Sequence, residues 1–406
     1  MHLPRPLAVL LGATPIVAAG LVALPLTAAH ADGPGVGTPW VVSVGDSYIS
    51  GEGGRWAGNT NNGESIHDAG GNATYLDNPA HTAEAINRCH RSTAAEVHIG
   101  GAASSINLAC SGAKTGTVAA DSSGYFKPGL DFYDNGAGKQ GQAKMLQAFA
   151  TTHNVKMVAV SIGGNDFNFA GIVQQCVTDF LGSPTWWKDY CKDDAIVTNA
   201  MSSANVSAQR AKIATAFQNI RTAMRNAGYA DNSWTLLVQN YMSPLPNGAG
   251  IRYSESGYSR QNTGGCGFWN ADADYANNTL LPTINGAVTG AISDSGLTNT
   301  KTLNVANAFT GRRLCESTVG LYEEKGLSSW TNAGAVDKTE WISTIRTATA
   351  TGNYYIQESL HPNFWGQKAL RNCVRQAWNA GVPKSGSCVR GANGFNASGE
   401  PNMTLQ

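Results

Sequence analysis

The sequence predicts an α/β fold of three layers, helix–sheet–helix, around a mostly parallel central sheet of about five strands, with long loop insertions. Two observations carry this reading. Short apolar runs bounded by Gly, Asn or Ser alternate with longer segments whose apolar residues recur at helical spacing. The polar motifs also fall directly after those runs or just before the last helix, and functional groups of parallel sheets gather at the carboxyl ends of the strands.

The elements follow in order. Trp40–Val44 reads as a buried strand that ends at a Gly-Asp-Ser turn. Ser105–Ala109, Val155–Ile162 and Trp234–Gln239 read likewise, and Thr302–Val305 is a weaker fifth. From Asn205 to Asn226 the residues Val206, Ile213, Phe217, Ile220 and Met224 form one helical face, with Asn205 as its cap and Gly228 as its stop. Gln142–Thr152 and Trp365–Asn379 are the other clear helices.

Three segments look like additions to this core: 53–78, rich in Gly and Asn, then 240–278 and 316–353. The latter two carry Tyr253, Tyr258, Phe268, Trp269, Tyr322, Trp330 and Trp341. These aromatics either rim an apolar binding site or pack the insertions themselves. Residues 32–388 read as one domain, and 389–406, dominated by Gly, Asn, Ser and Pro, as a flexible C-terminal tail.

Residues 1–31 read as a secretory signal peptide: Arg5, an apolar stretch from Leu7 to Ala28, then Ala29-His30-Ala31 as a small-x-small cleavage site. Pro15 and Pro25 interrupt the stretch and no stop-transfer charges follow, which argues against an anchoring helix. The eight cysteines (89, 110, 176, 191, 266, 315, 373 and 388) form no Cys-x-x-Cys pair. An even count in an exported chain reads as disulfides, each worth ~2–4 kcal/mol by restricting the unfolded chain. Spacing leaves the connectivity open; pairing sequence neighbours (Cys89–Cys110, Cys176–Cys191, Cys266–Cys315, Cys373–Cys388) is the simplest scheme.

Lys+Arg and Asp+Glu both total 28, and only 14% of residues are charged, so the basic footprint of a nucleic-acid binder is missing. Histidines 67, 81, 90, 98 and 153 show no consistent ligand spacing, and Asp272-x-Asp274 lacks the rest of a calcium loop, so no metal and no cofactor are expected.

Four short blocks carry chemistry. Ser47 follows a strand and a glycine, at a turn that leaves a hydroxyl accessible. Ala109-Cys110-Ser111-Gly112-Ala113 places a glycine after the second strand. Ser161-Ile162-Gly163-Gly164-Asn165-Asp166 ends the third, where two glycines allow close backbone approach and an Asn amide can donate to a developing negative charge. Glu358-Ser359-Leu360-His361-Pro362-Asn363 then supplies a histidine before a helix, suited to take and return a proton. Asp46 and Asp166 read as loop organisers through side-chain to backbone bonds, and Arg91 as structural, beside a Cys89 bridge.

Together these blocks resemble the SGNH (GDSL-type) hydrolase family, whose fold is flavodoxin-like. The resemblance runs from about Trp40 to the last helix and is closest to secreted actinobacterial lipases, esterases and phospholipases, through Gly45–Gly53, Cys89-His90-Arg91-Ser92 and the Ala109–Ala113 segment. It implies Ser47 as nucleophile, His361 as general base, and an oxyanion hole built from the backbone N–H of Ser47, the backbone N–H of Gly112 and the side-chain amide of Asn165. The family has Asp three residues before the histidine. Here that position is Glu358. Either Glu358 is a third catalytic member, or a main-chain carbonyl orients His361 and leaves a Ser–His dyad.

The implied activity is hydrolysis of carboxylic esters of lipids or phospholipids through an acyl-enzyme, by a secreted, extracellular monomer that touches lipid interfaces transiently. A closed apolar tunnel would favour that substrate. An open polar groove would favour a carbohydrate esterase, and a catalytically silent secreted binding protein is a third reading.

Overall fold

The computed structural model describes residues 33–119, 125–346 and 355–406. The proposed signal peptide therefore lies outside the described residues, as does 347–353 of the third insertion. The described residues all belong to one compact unit.

Seven strands form one sheet: β1 (Pro39–Gly45), β2 (Ser104–Asn107), β3 (Asn154–Ser161), β4 (Thr235–Gln239), β5 (Thr300–Asn304), β6 (Gly386–Phe395) and β7 (Pro401–Leu405). Their order is β2-β1-β3-β4-β5-β6-β7. The first six pair in parallel, and β7 runs antiparallel to β6. The first five strands thus take the doubly wound order 2-1-3-4-5. Its topological switch point, where ligands bind in such sheets, lies between the carboxyl ends of β1 and β3.

Six helices matter for the site: α1 (Ser47–Ser50), α2 (Gln142–Ala150), α3 (Phe169–Gly182), α4 (Ser203–Asn226), α5 (Leu281–Ser295) and α6 (Phe364–Trp378). α4 packs between α2 and α5, while α6 packs against β5 and β7. Ile213, Phe217, Ile220 and Met224 form the buried face of α4, as its periodicity predicts. Its cap is Ser202 rather than Asn205: the Ser202 hydroxyl accepts the Asn205 amide, so the helix starts a turn early.

The C-terminal residues depart from expectation. Instead of a flexible tail, 389–406 form most of β6 and all of β7. Composition missed this because the fastening lies in residues upstream. Cys373 bridges Cys388, Asn372 and Gln376 donate to the carbonyls of Pro401 and Met403, and Arg375 pairs with the buried Glu400. All four disulfides join sequence neighbours: Cys89–Cys110, Cys176–Cys191, Cys266–Cys315 and Cys373–Cys388.

The insertions close over one another. Tyr322 donates to the Ala57 carbonyl, and Asn59 donates to Glu340 and to the Ile342 carbonyl. Phe268, Trp269, Tyr322 and Trp341 are buried. Most of the aromatics therefore pack the insertions, while from the second insertion Phe268 and Tyr275 line one of the apolar pockets described below and Tyr241 the other.

Candidate active site

The site begins where β1 and β3 end side by side. Gly45 has φ +132°, and a Cβ there would lie 2.0 Å from the Ser161 carbonyl oxygen, so no other residue fits. The Gln142 side chain clamps this point from α2: it accepts the Gly45 amide at 2.6 Å and donates to the Gly45 carbonyl at 2.8 Å. The next residue, Asp46, caps α1 by accepting the Tyr48 amide, and its other oxygen accepts the Tyr241 hydroxyl. Burial raises the Asp46 carboxyl to about 7. Asp166 does the equivalent work on the opposite loop, accepting the amide and hydroxyl of Thr115.

Ser47 is the first residue of α1, and its Oγ lies 2.6 Å from His361 Nε2. The other imidazole nitrogen, Nδ1, lies 2.9 Å from the carbonyl oxygen of Ser359. A carbonyl only accepts, so Nδ1 carries the proton and the Nε2 lone pair faces the serine hydroxyl. Burial lowers the His361 pKa from its ordinary value, against the opposing pull of the Glu52 charge and the Ser359 carbonyl.

The loop that carries His361 is over-determined. Leu360 has φ +62°, uncommon for a non-glycine residue. Its amide donates to Ser343, its carbonyl accepts the Tyr48 hydroxyl, and Asn363 caps α6 just beyond. Three separate attachments hold the imidazole at Ser47.

Glu358 is directed elsewhere. Its carboxylate is fully buried and accepts Trp56 Nε1 at 2.9 Å, the Tyr355 amide at 2.9 Å and the Tyr75 hydroxyl. No hydrogen bond joins that carboxylate to His361 among the described residues. In a family-type triad the acid would hold the imidazole; here the extra methylene carries the carboxylate into a pocket of donors, and Ser359 supplies a main-chain oxygen instead. Burial and the nearby Glu52 charge raise Glu358 to about 7, with the three donors opposing.

Of the three expected oxyanion donors, Asn165 lines the same pocket as Ser47 and His361, and one of its amide hydrogens is spent on the Ala113 carbonyl at 2.8 Å. The Ser47 and Gly112 backbone amides donate to no partner among the described residues. Gly112 has φ +78° on the turn that follows the Cys89–Cys110 bridge. It borders a neighbouring hollow rather than the pocket shared by the other three.

That pocket is about 530 Å³, and beside Ser47, Asn165 and His361 it is walled by Tyr48, Phe169, Tyr241, Leu281 and Ile284. A second apolar pocket of about 570 Å³ shares Phe169, Pro244, Leu280 and Leu281 with it and continues past Ile172, Phe268 and Leu360. The two make one apolar passage leading away from the serine.

One buried group behind the site was not singled out from sequence. Glu52 is 0% exposed and pairs with His90 Nδ1 at 2.7 Å. Its own amide donates to the Ser47 carbonyl, and Gln357 donates to its Oε2 from the histidine loop. Burial disfavours both charges, yet their mutual attraction wins, raising His90 and holding Glu52 down to about 2. The Tyr75 ring stacks on His90 at 4.4 Å and reaches Glu358 through its hydroxyl, so the pair and Glu358 belong to one polar network. The only signal in sequence was a glutamate between glycines, Gly51-Glu52-Gly53, and that is silent about its partner. Arg91 is structural: it donates to the Ala109 and Leu108 carbonyls beside the disulfide. Asp272 and Asp274 accept the backbone amides of Lys192 and Gly248. Among the described residues no group of three or more His, Cys, Asp or Glu side chains is placed to hold a metal ion.

No family model matches the chain, and no curated protein sequence does. Among solved structures the chain is similar to the extracellular lipase from Streptomyces rimosus, at 19% identity and a TM-score of 0.41, over 84% of this chain and 100% of that one. At that level the likeness bears neither on fold nor on activity.

Proposed function

We propose that the protein is a serine hydrolase that cleaves carboxylic esters with apolar acyl groups, using Ser47 as nucleophile and His361 as general base. The observation that carries this reading is the 2.6 Å contact between Ser47 Oγ and the unprotonated nitrogen of His361, at the mouth of an apolar passage. His361 Nε2 takes the hydroxyl proton as Ser47 Oγ bonds to the acyl carbon, and the Ser359 carbonyl stabilises the imidazolium through Nδ1. The carbonyl oxygen becomes an oxyanion received by the Ser47 amide, the Gly112 amide and the free amide hydrogen of Asn165. One such donor is worth ~2.7–4 kcal/mol in the transition state. His361 returns its proton to the leaving alkoxide, and water repeats the sequence to release the acid.

The passage walls favour an acyl chain over a sugar, because a polysaccharide ester needs polar groups along its groove. Four disulfides and the N-terminal sequence together support secretion. A panel of soluble butyrate ester, dispersed triacylglycerol, phospholipid and acetylated xylan tests the reading. Hydrolysis of the acyl lipids and the butyrate ester supports it. Activity confined to xylan would replace it with the carbohydrate esterase.

Two further expectations belong to this reading. A base must be neutral to act, and burial disfavours the imidazolium, so His361 loses its proton below its ordinary pKa. The acid limb of kcat/KM against pH is therefore expected below pH 6.5, measured on a soluble ester. A limb at higher pH would show that another group titrates.

The second concerns Trp186 and Trp187, which are 82% and 75% exposed on the loop between α3 and Cys191. The helix before that loop and the residue after it border the apolar passage, through Cys176 and Cys191. Exposed indoles suit a lipid–water interface. Trp186→Ala with Trp187→Ala is expected to lower the ratio of vesicle to soluble-ester turnover by about tenfold, from lost apolar contact of about 1.4 kcal/mol. An unchanged ratio would remove these residues from interfacial contact.

A further inference from the structure

Gly112 lines a hollow of about 1030 Å³ that neighbours the apolar pocket. The Cys110–Ala113 turn lines the hollow through Ser111 and Gly112 and meets the apolar pocket through its bond to Asn165. Its Ala113 carbonyl holds Asn165 on the apolar side, while Ser111 and Gly112 face the hollow. The two spaces differ in chemistry. The hollow is lined by Arg88, Lys127 and Lys139 together with Tyr125, Phe126 and Gln357, and no carboxylate is among the described residues that line it.

Among the described residues these three cations form no ion pair, whereas several other basic side chains do. Arg55, Arg210, Arg221, Arg225, Arg252, Arg313 and Arg375 each meet a carboxylate. The Arg88 guanidinium meets none among the described residues. Lys139 lies over the Phe126 ring at 5.5 Å, and among the described residues the Lys127 ammonium donates only to the Arg88 carbonyl. The two carboxylates that act on Lys127 are committed elsewhere. Glu52 pairs with His90, and Glu84 accepts the Arg88 amide and faces His90 Nε2 at 3.5 Å. Burial lowers Lys127 to about 8 despite those two carboxylates, as for an amine that lacks a direct counter-ion.

We infer that Arg88, Lys127 and Lys139 form an anion subsite that holds a phosphate on the alcohol side of the scissile ester. This rests on the hydrolase reading above. With the acyl chain in the apolar passage and the oxyanion at the Ser47, Asn165 and Gly112 donors, the alcohol half of the ester leaves past Gly112 into the hollow. Only the acyl C–O bond breaks, and the alkoxide takes its proton from His361, so the phosphate stays with the alcohol throughout. The cations bind it and leave the chemistry to the serine. A guanidinium and two ammonium groups suit a phosphate monoester or diester through charge-assisted hydrogen bonds.

Two short-chain substrates kept below their aggregation limits test this without any charged surface: dihexanoyl phosphatidic acid and dihexanoylglycerol, which differ by the phosphate. The kcat/KM ratio of the first to the second is expected to be about tenfold or more in the wild type, the size of one charge-assisted contact. Arg88→Ala and Lys139→Ala are each expected to bring the ratio down by about fivefold, with Arg88→Lys retaining most of it. Inorganic phosphate is expected to compete with phosphatidic acid. A wild-type ratio near one, or a ratio that both alanine variants leave unchanged, overturns the subsite. So does inorganic phosphate that alters dihexanoylglycerol turnover while the ratio stays near one, which marks an effector site for the free ion. If Ser47-dependent hydrolysis of p-nitrophenyl butyrate persists in these cases, only the subsite falls. If that ester is not cleaved, the hydrolase reading falls with it.

Discussion

Ser47→Ala is expected to lower kcat on a soluble ester by at least about 10⁴-fold with no loss of melting temperature, in line with removal of a serine nucleophile elsewhere. The reason is specific to the contacts. Among the described residues the hydroxyl bonds only to His361 Nε2, and the fold around it is held by other groups: Gln142 on Gly45, Asp46 on α1, and Tyr241 on Asp46. Removing one oxygen leaves each of these in place. His361→Ala is expected to match it, since base and nucleophile act as one unit, and the double variant is expected to be little worse than either single one. Steady-state turnover beside thermal melting checks all three. A folded Ser47→Ala protein that keeps its turnover would end the covalent mechanism, as would failure of a fluorophosphonate to label Ser47 in the wild type.

Glu358→Ala is expected to act through stability. It removes the acceptor of Trp56 Nε1 and the Tyr75 hydroxyl at a fully buried position, and that of the Tyr355 amide on an exposed residue. Unsatisfied buried donors cost ~1–3 kcal/mol each, so a loss on the order of 4 kcal/mol is expected, visible as a lower denaturation midpoint. The acid limb of kcat/KM is expected to stay where it was, because no carboxylate–imidazole bond is lost. A triad would behave oppositely, with the limb displaced and turnover falling as far as in His361→Ala. Denaturation and a pH profile on the same preparation separate the two.

Much of this was readable beforehand. The apolar runs located β1 to β5 within a residue or two, and the polar blocks after them marked the switch point, because a buried parallel strand must be apolar and its functional groups must wait for its end. Ser47, Asn165 and His361 converge from segments more than a hundred residues apart, and the order of the blocks was enough to name them. Three things were not legible. Glu358 and an aspartate differ by one methylene, and only geometry says where the carboxylate ends up. The Glu52–His90 pair joins residues whose local sequences carry no hint of each other. The last two strands were hidden because small polar residues look alike in a loop and in an edge hairpin; their fasteners are Cys373, Asn372, Arg375 and Gln376 on the preceding helix.

The bond from His361 to the Ser359 carbonyl has a consequence for how such a site changes over generations. A side-chain acid can be deleted by one codon change, whereas every amino acid brings a carbonyl. Position 359 is thus free to drift in identity so long as its chain path is kept. Selection then acts on what bends the loop, which here means Leu360 in its left-handed conformation, the Ser343 carbonyl and the Tyr48 hydroxyl. Glu358, relieved of the imidazole, is free to serve as a fastener for the insertions. Among descendants of this chain, the conserved trace of the base's partner would be a shape rather than a letter.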